Sequence, residues 1–303
     1  MLTKKRLILT AVAVALIAAL ALFSVLPLQA GASDNSGWMN SISDETPLSA
    51  ISIPGTHDSG ALHSIADATG KCQTLSIKEQ LKIGVRFLDI RLQLVSDNLV
   101  VVHSIVDQMT DFEDVLRDME KFLEENPSEL LLVSIKEDAD SKGSEREFRE
   151  VLEEMLLSSD AVSRATELPE TVGAGRGMIH IISRYSGATI GLPCYHGWTD
   201  DDSFEISGIY VQDNYKLDTT EEKISDIEKA LEVSKLGEYD LVLNYTSCYL
   251  TTSFPPIYAG VPAHEINRWV KGALAQGNEP TGVMVMDFIT SDIANIIIGR
   301  NAK

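Results

Sequence analysis

Residues 51–60 read Ile-Ser-Ile-Pro-Gly-Thr-His-Asp-Ser-Gly. The apolar run 48–53 predicts a buried strand, and the Pro-Gly pair after it predicts that the ladder stops there, because proline has no amide hydrogen to donate. His57 then lies on a loop at the carboxyl end of this strand, where parallel α/β proteins place their chemistry. A histidine at such a position transfers protons near neutral pH. The alternative is a structural one, in which Asp58 only caps a following helix.

Further apolar or alternating runs predict seven more strands, at 87–92, 99–103, 130–136, 178–183, 208–212, 241–245 and 282–288. Amphipathic segments predict helices at 111–125, 145–157, 220–236 and 263–275. Alternation of strands and helices predicts a parallel sheet. Eight strands, with no glycine-rich phosphate loop after the first, favour a closed barrel over an open sheet. We therefore predict an α/β fold, a (βα)8 barrel in one domain at residues 33–303.

The first 32 residues have the pattern of an export leader. Three basic residues at 4–6 precede an apolar run that extends to about residue 28, and small residues follow at 30–32. This pattern predicts a signal peptide and a secreted protein. Because the run approaches the roughly 20 residues that span a bilayer, an uncleaved N-terminal anchor is the alternative.

The net charge and the cysteine content exclude some classes of binding partner and metal site. The formal net charge is -20 at pH 7, which argues against binding to nucleic acid and against long-range attraction to an anionic membrane. Three cysteines, Cys72, Cys194 and Cys248, allow at most one internal disulfide. Their spacing is not that of a zinc site, so a metal centre built on paired cysteines is not expected.

Polar and charged residues follow the predicted strands: His57, Asp58, Asp89, Arg91, His103, Lys136, Arg184, Asp213, Tyr215 and Asp287. Burial of an unpaired charge costs several kcal/mol, so these side chains are either paired or functional. In a barrel they converge on one mouth. Two histidines, arginine and several carboxylates predict acid/base chemistry on a phosphate, with a guanidinium offsetting charge on the phosphoryl oxygens.

Seven motifs, taken in chain order, resemble those of bacterial phosphatidylinositol-specific phospholipase C: Gly-Thr-His57-Asp58-Ser, Leu-Asp89-Ile-Arg91-Leu, Val-Val-His103, Ser-Ile-Lys136, Ser-Arg184-Tyr, Gln-Asp213-Asn-Tyr215 and Met-Asp287-Phe. Each motif is weak alone, but together they extend over nearly the whole of residues 33–303. The resemblance implies an irregular TIM-type barrel that lacks some helices. It also implies a phosphatidylinositol diacylglycerol-lyase without a cofactor, which releases diacylglycerol and inositol 1,2-cyclic phosphate.

The resemblance also implies a role for each catalytic position. His57 would be the general base that takes the proton of the inositol 2-hydroxyl. Asp287 would orient His57 and stabilise its imidazolium. Asp58 with His103 would form the general acid for the leaving oxygen, and Arg91 would bind a non-bridging phosphate oxygen.

The remaining motif positions resemble those that form the substrate pocket of the family. The residue at position 91 indicates whether a metal is used. The inositol pocket would be formed by Lys136, Arg184, Asp213 and Tyr215. Asp89 would hold pocket side chains in place, with a purely structural ion pair as the alternative. Calcium-dependent relatives have an acidic metal ligand where this chain has Arg91. A permanent positive charge there replaces and repels the cation, so no metal is expected.

The expected partner is phosphatidylinositol or a glycosylphosphatidylinositol-type lipid at a membrane surface, and nothing indicates an obligate protein partner. Two alternatives remain. One is a metal-dependent phosphodiesterase on the same barrel, of the glycerophosphodiesterase or sphingomyelinase kind, which Arg91 opposes. The other is a non-catalytic protein that binds inositol lipids, which would be expected to lack a histidine of the pair or Arg91.

Overall fold

The structure is a computed structural model that describes residues 33–63, 71–104, 106–252 and 260–302. No helix within these ranges is both long and apolar enough to cross a bilayer. The predicted leader, residues 1–32, lies outside the described residues. Ser33–Lys303 form one compact unit.

The strands of the described residues are β1 Ser52–Thr56, β2 Phe87–Val95, β3 Asn98–His103, β4 Val106–Asp111, β5 Leu131–Glu137, β6 Ile179–Arg184, β7 Leu192–Pro193, β8 Ser203–Ile206, β9 Ile209–Gln212, β10 Lys216–Leu217, β11 Leu241–Tyr245, β12 Tyr249–Leu250 and β13 Gly282–Met286. Eight of them form a parallel wall in the order β7-β6-β5-β2-β1-β13-β11-β9. The antiparallel strand β8 pairs with β9 at one edge. In the part of the chain that the structure describes, no ladder joins β7 to β8, so the curled sheet is an incomplete barrel.

The helices are α1 Ile77–Lys82, α2 Phe112–Glu125, α3 Phe148–Ser158, α4 Val172–Gly175, α5 Thr220–Leu236, α6 Gly260–Leu274 and α7 Ser291–Gly299, with 3-10 turns at Trp38–Ser41 and Leu48–Ala50. Capping boxes begin α1 at Ser76 and α5 at Thr219, where each side chain accepts an otherwise unpaired amide. No helix lies between β6 and β9, a stretch that is described throughout. The predicted irregular TIM-type barrel is confirmed.

The predicted bounds of the first strand were wrong. Residues 48–50 form a 3-10 turn, and β1 passes through Pro54 and Gly55, in register with β13 from Ser52 to Thr56. Proline is tolerated because the carbonyl of Pro54 faces β2, accepting the amide of Arg86, and the ladder to β2 begins only at Gly55. Gly55 is required because a Cβ there would lie 2.9 Å from Val283 Cγ1.

The predicted strand at 99–103 exists but is not part of the wall. It is β3, which pairs antiparallel with β2 and with β4. The two-residue strand β7, which has no periodic sequence signal, supplies the eighth parallel strand instead. The β2–β3 hairpin folds the chain back on itself, and this return brings His103 to the other predicted catalytic residues.

Alternation along β2 separates the core from the site. Leu88 and Ile90 belong to the apolar cluster between the wall and the helices, whereas Phe87 belongs to a second cluster inside the barrel. Asp89 and Arg91 share the face of Phe87, since side chains alternate along a strand. The same strand therefore stabilises the outer layer with leucine and isoleucine and presents charged groups inward.

Candidate active site

His57 and Asp287 are brought together by neighbouring strands. They follow the paired residues Thr56 and Met286 of β1 and β13, and the amide of His57 donates to the carbonyl of Met286. Nδ1 of His57 lies 2.8 Å from Oδ1 of Asp287. Gln73 fixes this corner, because its Nε2 donates to the carbonyls of both His57 and Met286 at 2.8 Å. Burial lowers the pKa of His57 and the charge of Arg91 adds to this, but the carboxylates of Asp287 and Asp89 raise it, and the net shift is upward.

Arg91 contacts the other ring nitrogen of His57. Its Nη2 lies 2.8 Å from His57 Nε2. A guanidinium has only donors, so Nε2 accepts and the ring proton lies on Nδ1, donated to Asp287. Nε and Nη2 of Arg91 also donate to Oδ2 of Asp89, at 3.2 and 3.0 Å. The geometry therefore selects the tautomer that a general base at Nε2 requires.

Asp58 and His103 form a second pair beside the first. Oδ2 of Asp58 lies 3.6 Å from Nε2 of His103 and 3.6 Å from Nε of Arg91. Asp58 is fully buried at a φ of 42°, and among the described residues neither of its carboxylate oxygens has a hydrogen-bond partner. Burial raises the pKa of Asp58, against the opposing charge of Arg91. Backbone strain at a buried acid that lacks a hydrogen bond is typical of functional sites.

Asp89 connects the catalytic corner to the pocket. It is fully buried, and its carboxylate accepts the amide of Asp58 at 3.2 Å and lies 3.5 Å from Nη1 of Arg184. Burial would raise its pKa, but the guanidinium groups of Arg91 and Arg184 lower it well below the usual range. Asp89 therefore stays ionised and fixes both guanidinium groups. This contact pattern accommodates both the predicted pocket role and the structural ion pair.

Arg184 contacts two aromatic side chains that are absent from the predicted site residues. Its guanidinium carbon lies 3.7 Å from the ring centroid of Trp198, and its Nη1 donates to the hydroxyl of Tyr245 at 3.4 Å. Tyr245 ends β11, a strand-end signal that could have found it. Trp198 lies in the helix-free stretch after β7, where no periodicity marks it.

Lys136 is held by Asp138, a third residue missing from the prediction. Nζ of Lys136 lies 2.6 Å from Oδ1 of Asp138, whose Oδ2 accepts the amide of Ser104 at 2.8 Å. Oδ1 of Asp138 is also 4.0 Å from Nη1 of Arg91. Burial would raise the pKa of Asp138, but Arg91 and Lys136 lower it to about 2. Its position two residues after Lys136, at the end of β5, was the available signal.

Asp213 belongs to the buried cluster, whereas Tyr215 lies outside it. Burial raises the pKa of Asp213, against the charges of Arg184 and Lys223. Lys223, on α5, is itself fully buried. The hydroxyl of Tyr215 donates to the exposed carboxylate of Asp200 at 2.6 Å. All the other predicted site residues meet at the carboxyl ends of the strands.

Candidate metal ligands are few among the described residues. Two groups of three side chains have ligand atoms within 4.8 Å of one another, and both contain Cys72. One adds His57 and Asp287, and the other adds Asp58 and His103. Neither is the oxygen-only ligand set that calcium prefers.

Comparison with known proteins identifies the family. Residues 45–183 match the family model described as phosphatidylinositol-specific phospholipase C, X domain. The 1-phosphatidylinositol phosphodiesterase of Staphylococcus aureus is 27% identical over 296 residues, covering 87% of this chain and 93% of that protein. A solved structure of the Staphylococcus aureus phosphatidylinositol-specific phospholipase C has a TM-score of 0.80 at 25% identity, covering 89% of this chain and 98% of that one. The chain belongs to the bacterial phosphatidylinositol-specific phospholipase C family.

Other members of the family agree. The 1-phosphatidylinositol phosphodiesterase of Listeria monocytogenes is 24% identical over 286 residues, covering 87% of this chain and 84% of that protein. The solved Listeria monocytogenes phosphatidylinositol-specific phospholipase C shares the fold, with a TM-score of 0.71 at 23% identity over 89% of this chain and 100% of that one. The predicted membership of this phospholipase C family is thus confirmed, and the roles of individual residues stay predictions.

Proposed function

We propose that this protein is a phosphatidylinositol-specific phospholipase C of the lyase type. One observation carries the proposal: His57 is held at both ring nitrogens, by Asp287 at 2.8 Å and by Arg91 at 2.8 Å. The carboxylate stabilises the protonated ring, and the guanidinium places a permanent cation next to the proton acceptor. A base and a cation that converge on one point suit a phosphodiester with a hydroxyl beside the phosphorus.

The reaction then follows from these groups. Nε2 of His57 takes the proton of the inositol 2-hydroxyl, and that oxygen attacks the adjacent phosphorus. Arg91 stabilises the charge that develops on a non-bridging phosphoryl oxygen. The bond from phosphorus to the diacylglycerol oxygen breaks. The products are diacylglycerol and 1D-myo-inositol 1,2-cyclic phosphate, which water opens slowly by reverse use of the same groups.

Asp58 and His103 supply the proton for the leaving oxygen. Burial raises the pKa of Asp58, which favours the protonated carboxyl that an acid needs. His103, whose side chain is 24% exposed, lies 3.6 Å from this buried carboxyl. In this proposal the proton passes from the buried carboxyl of Asp58 through His103 to the leaving oxygen.

The inositol ring is bound by charged groups that read its hydroxyls. Lys136 is fixed by the carboxylate of Asp138 and Arg184 by the ring of Trp198, and Asp213 is buried. Such fixed groups lose little side-chain entropy when the ring binds. Tyr215, more exposed, is proposed as the surface on which the ring rests.

We propose that no metal takes part. Three carboxylates surround the guanidinium of Arg91, with shortest N–O distances of 3.6, 3.0 and 4.0 Å to Asp58, Asp89 and Asp138. The guanidinium occupies the centre that a divalent cation would need, and its charge repels one.

The lipid substrate lies at a membrane surface, and both phosphatidylinositol and glycosylphosphatidylinositol-type anchors have the head group that this chemistry needs. The basic and apolar N-terminal residues support export, with the secreted form as the proposed location. No protein partner and no cofactor is required by the steps above.

Phosphorus NMR of the products tests the proposal. Phosphatidylinositol vesicles are incubated with the protein in the presence of a chelator, and a cyclic phosphate at full rate is expected. Loss of activity in the chelator would favour a metal-dependent phosphodiesterase. Absence of any product, with the lipid still bound, would favour a non-catalytic binding protein.

A further inference from the structure

The thiol of Cys72 lies between the two acid–base pairs, and no step of the proposed reaction uses it. Its sulfur and the ligand atoms of His57 and Asp287 all lie within 4.8 Å of one another, and so do its sulfur and those of Asp58 and His103. Cys72 is only 1% exposed and forms no disulfide. Backbone hydrogen bonds hold it there, because its amide donates to Ala61 and its carbonyl accepts from Phe288.

A second observation points to a ligand at the same place. Both carboxylate oxygens of Asp58 are buried and have no hydrogen-bond partner among the described residues. A buried polar atom without a partner is destabilising, and more so if it is charged. An ion coordinated at Asp58 would give this carboxylate the partner that no described side chain gives it.

The sulfur, nitrogen and oxygen atoms of these three side chains favour zinc over calcium or magnesium. Thiolate, imidazole and carboxylate are the donors of zinc sites, whereas calcium and magnesium take oxygen donors. Tetrahedral zinc with bonds of about 2.0–2.3 Å sets its ligand atoms roughly 3.3–3.8 Å apart. The distance from Asp58 Oδ2 to His103 Nε2 is 3.6 Å, so this pair already has the spacing, and only the sulfur has to approach. Unlike the His57–Asp287 pair, it has no hydrogen bond to break.

We propose that Cys72, Asp58 and His103 form an inhibitory site for a thiophilic divalent cation of the zinc and cadmium class. On binding, the S–H bond of Cys72 breaks, a sulfur–metal bond forms, and the proton passes to solvent. Arg91, at 3.6 Å from Asp58, repels any cation, and the new thiolate offsets that repulsion for a soft ion only. The bound ion occupies the carboxylate and imidazole atoms of the general acid, so it blocks proton delivery to the leaving oxygen.

The test measures binding and inhibition separately, using the purified chain with zinc chloride or cadmium chloride. Equilibrium dialysis is expected to find one tight zinc per chain, and cadmium is expected to give an ultraviolet thiolate charge-transfer band. Cys72→Ser should weaken zinc binding by more than about tenfold and remove the band. Cys194→Ser, which removes an equally buried thiol that belongs to neither group, should leave both unchanged.

Inhibition supplies the second readout and rests on the proposed function. Micromolar zinc should inhibit cleavage of phosphatidylinositol, a chelator should reverse the inhibition, and calcium should have no such effect. Absence of the cadmium band in the unaltered chain, or zinc binding retained by Cys72→Ser, would overturn the site even if the variant folded poorly. Because binding is measured without lipid, an inactive protein would refute the proposed function and leave this test intact.

Discussion

Nη2 of Arg91 lies 2.8 Å from Nε2 of His57, on the lone pair that the proposed base needs. A guanidinium only donates hydrogen bonds, so in the site without substrate the lone pair of His57 Nε2 already accepts a hydrogen bond from Arg91. A phosphoryl oxygen that draws Arg91 towards itself frees Nε2 for the substrate hydroxyl. Phosphate binding and the availability of the base are thereby coupled through one side chain.

This relationship predicts opposite shifts of the His57 pKa in two variants. Arg91 lowers that pKa and Asp287 raises it, so Arg91→Ala should raise it and Asp287→Asn should lower it. A base acts when deprotonated, so in the unaltered protein kcat/KM should rise with pH through a raised His57 pKa. NMR titration of the imidazole measures the pKa of His57 in all three proteins, including any that are inactive. Shifts of the same sign in both variants would contradict the assigned contacts.

His57→Ala and His103→Ala should each abolish nearly all activity without unfolding the protein. General acid and base groups contribute roughly 10²–10⁴-fold each. His264→Ala, which alters an exposed histidine on α6, is the matched control and should keep full turnover. Turnover above about a tenth of the original in either of the first two variants would rule out proton transfer by that residue.

Arg91→Asp should exchange the guanidinium for part of a calcium site. Without calcium the variant should lose about 10²–10³-fold in rate, the usual effect of removing one transition-state donor. Millimolar calcium should restore some activity, because Asp58, Asp89 and Asp138 already surround this position.

Arg91→Ala is the control for rescue, since it creates the same gap without a new carboxylate. Assays with calcium and with a chelator compare the three proteins. A chelator that silences the unaltered protein would overturn the metal-free mechanism, whereas failure of calcium to rescue Arg91→Asp would mean that the carboxylates cannot converge on an ion.

Lys223→Met should impair substrate binding more than chemistry. Nζ of Lys223 donates to Oε1 of Gln212 at 2.9 Å and to the carbonyl of Asn214, so it fixes the residues on both sides of Asp213. Unpaired acceptors cost about 1–3 kcal/mol, and about 1.4 kcal/mol corresponds to a tenfold change. We expect KM to rise about tenfold with kcat within about threefold.

Lys229 is an exposed lysine on the same helix, so Lys229→Met is the control and should change neither KM nor kcat. Steady-state kinetics on phosphatidylinositol give both values. A fall in kcat with KM unchanged would show that Lys223 acts on the transition state instead of on the pocket.

Vesicle binding should depend on apolar contact and little on salt. The chain carries a formal charge of -20, so screening reduces repulsion from anionic lipid. Val261 begins α6 on the mouth side of the barrel and is 66% exposed, so Val261→Ser should weaken binding. Leu236→Ser is matched at 64% exposure but lies at the opposite end of the barrel, where α5 ends. A steep loss of binding with salt, or equal loss in both variants, would contradict this interface.

The sequence alone determined the barrel class and the catalytic candidates. Hydrophobic periodicity and charged residues at strand ends are local signals, and they placed His57, Asp58, Arg91, His103 and Asp287 correctly at one mouth. The same local rules failed at Pro54 and Gly55, because proline usually ends a ladder. Here β13 pairs through the proline, and β2 begins to pair only at Gly55, so the missing amide hydrogen breaks no ladder.

Only the tertiary structure decided which strands are neighbours and what lies between them. The pairing of β1 with β13 joins residues 230 positions apart and sets His57 against Asp287. Likewise, Trp198 under Arg184 and Cys72 between two acid–base pairs come from loops without periodicity. Such contacts depend on how the whole sheet curls, and distance along the chain carries no information about them.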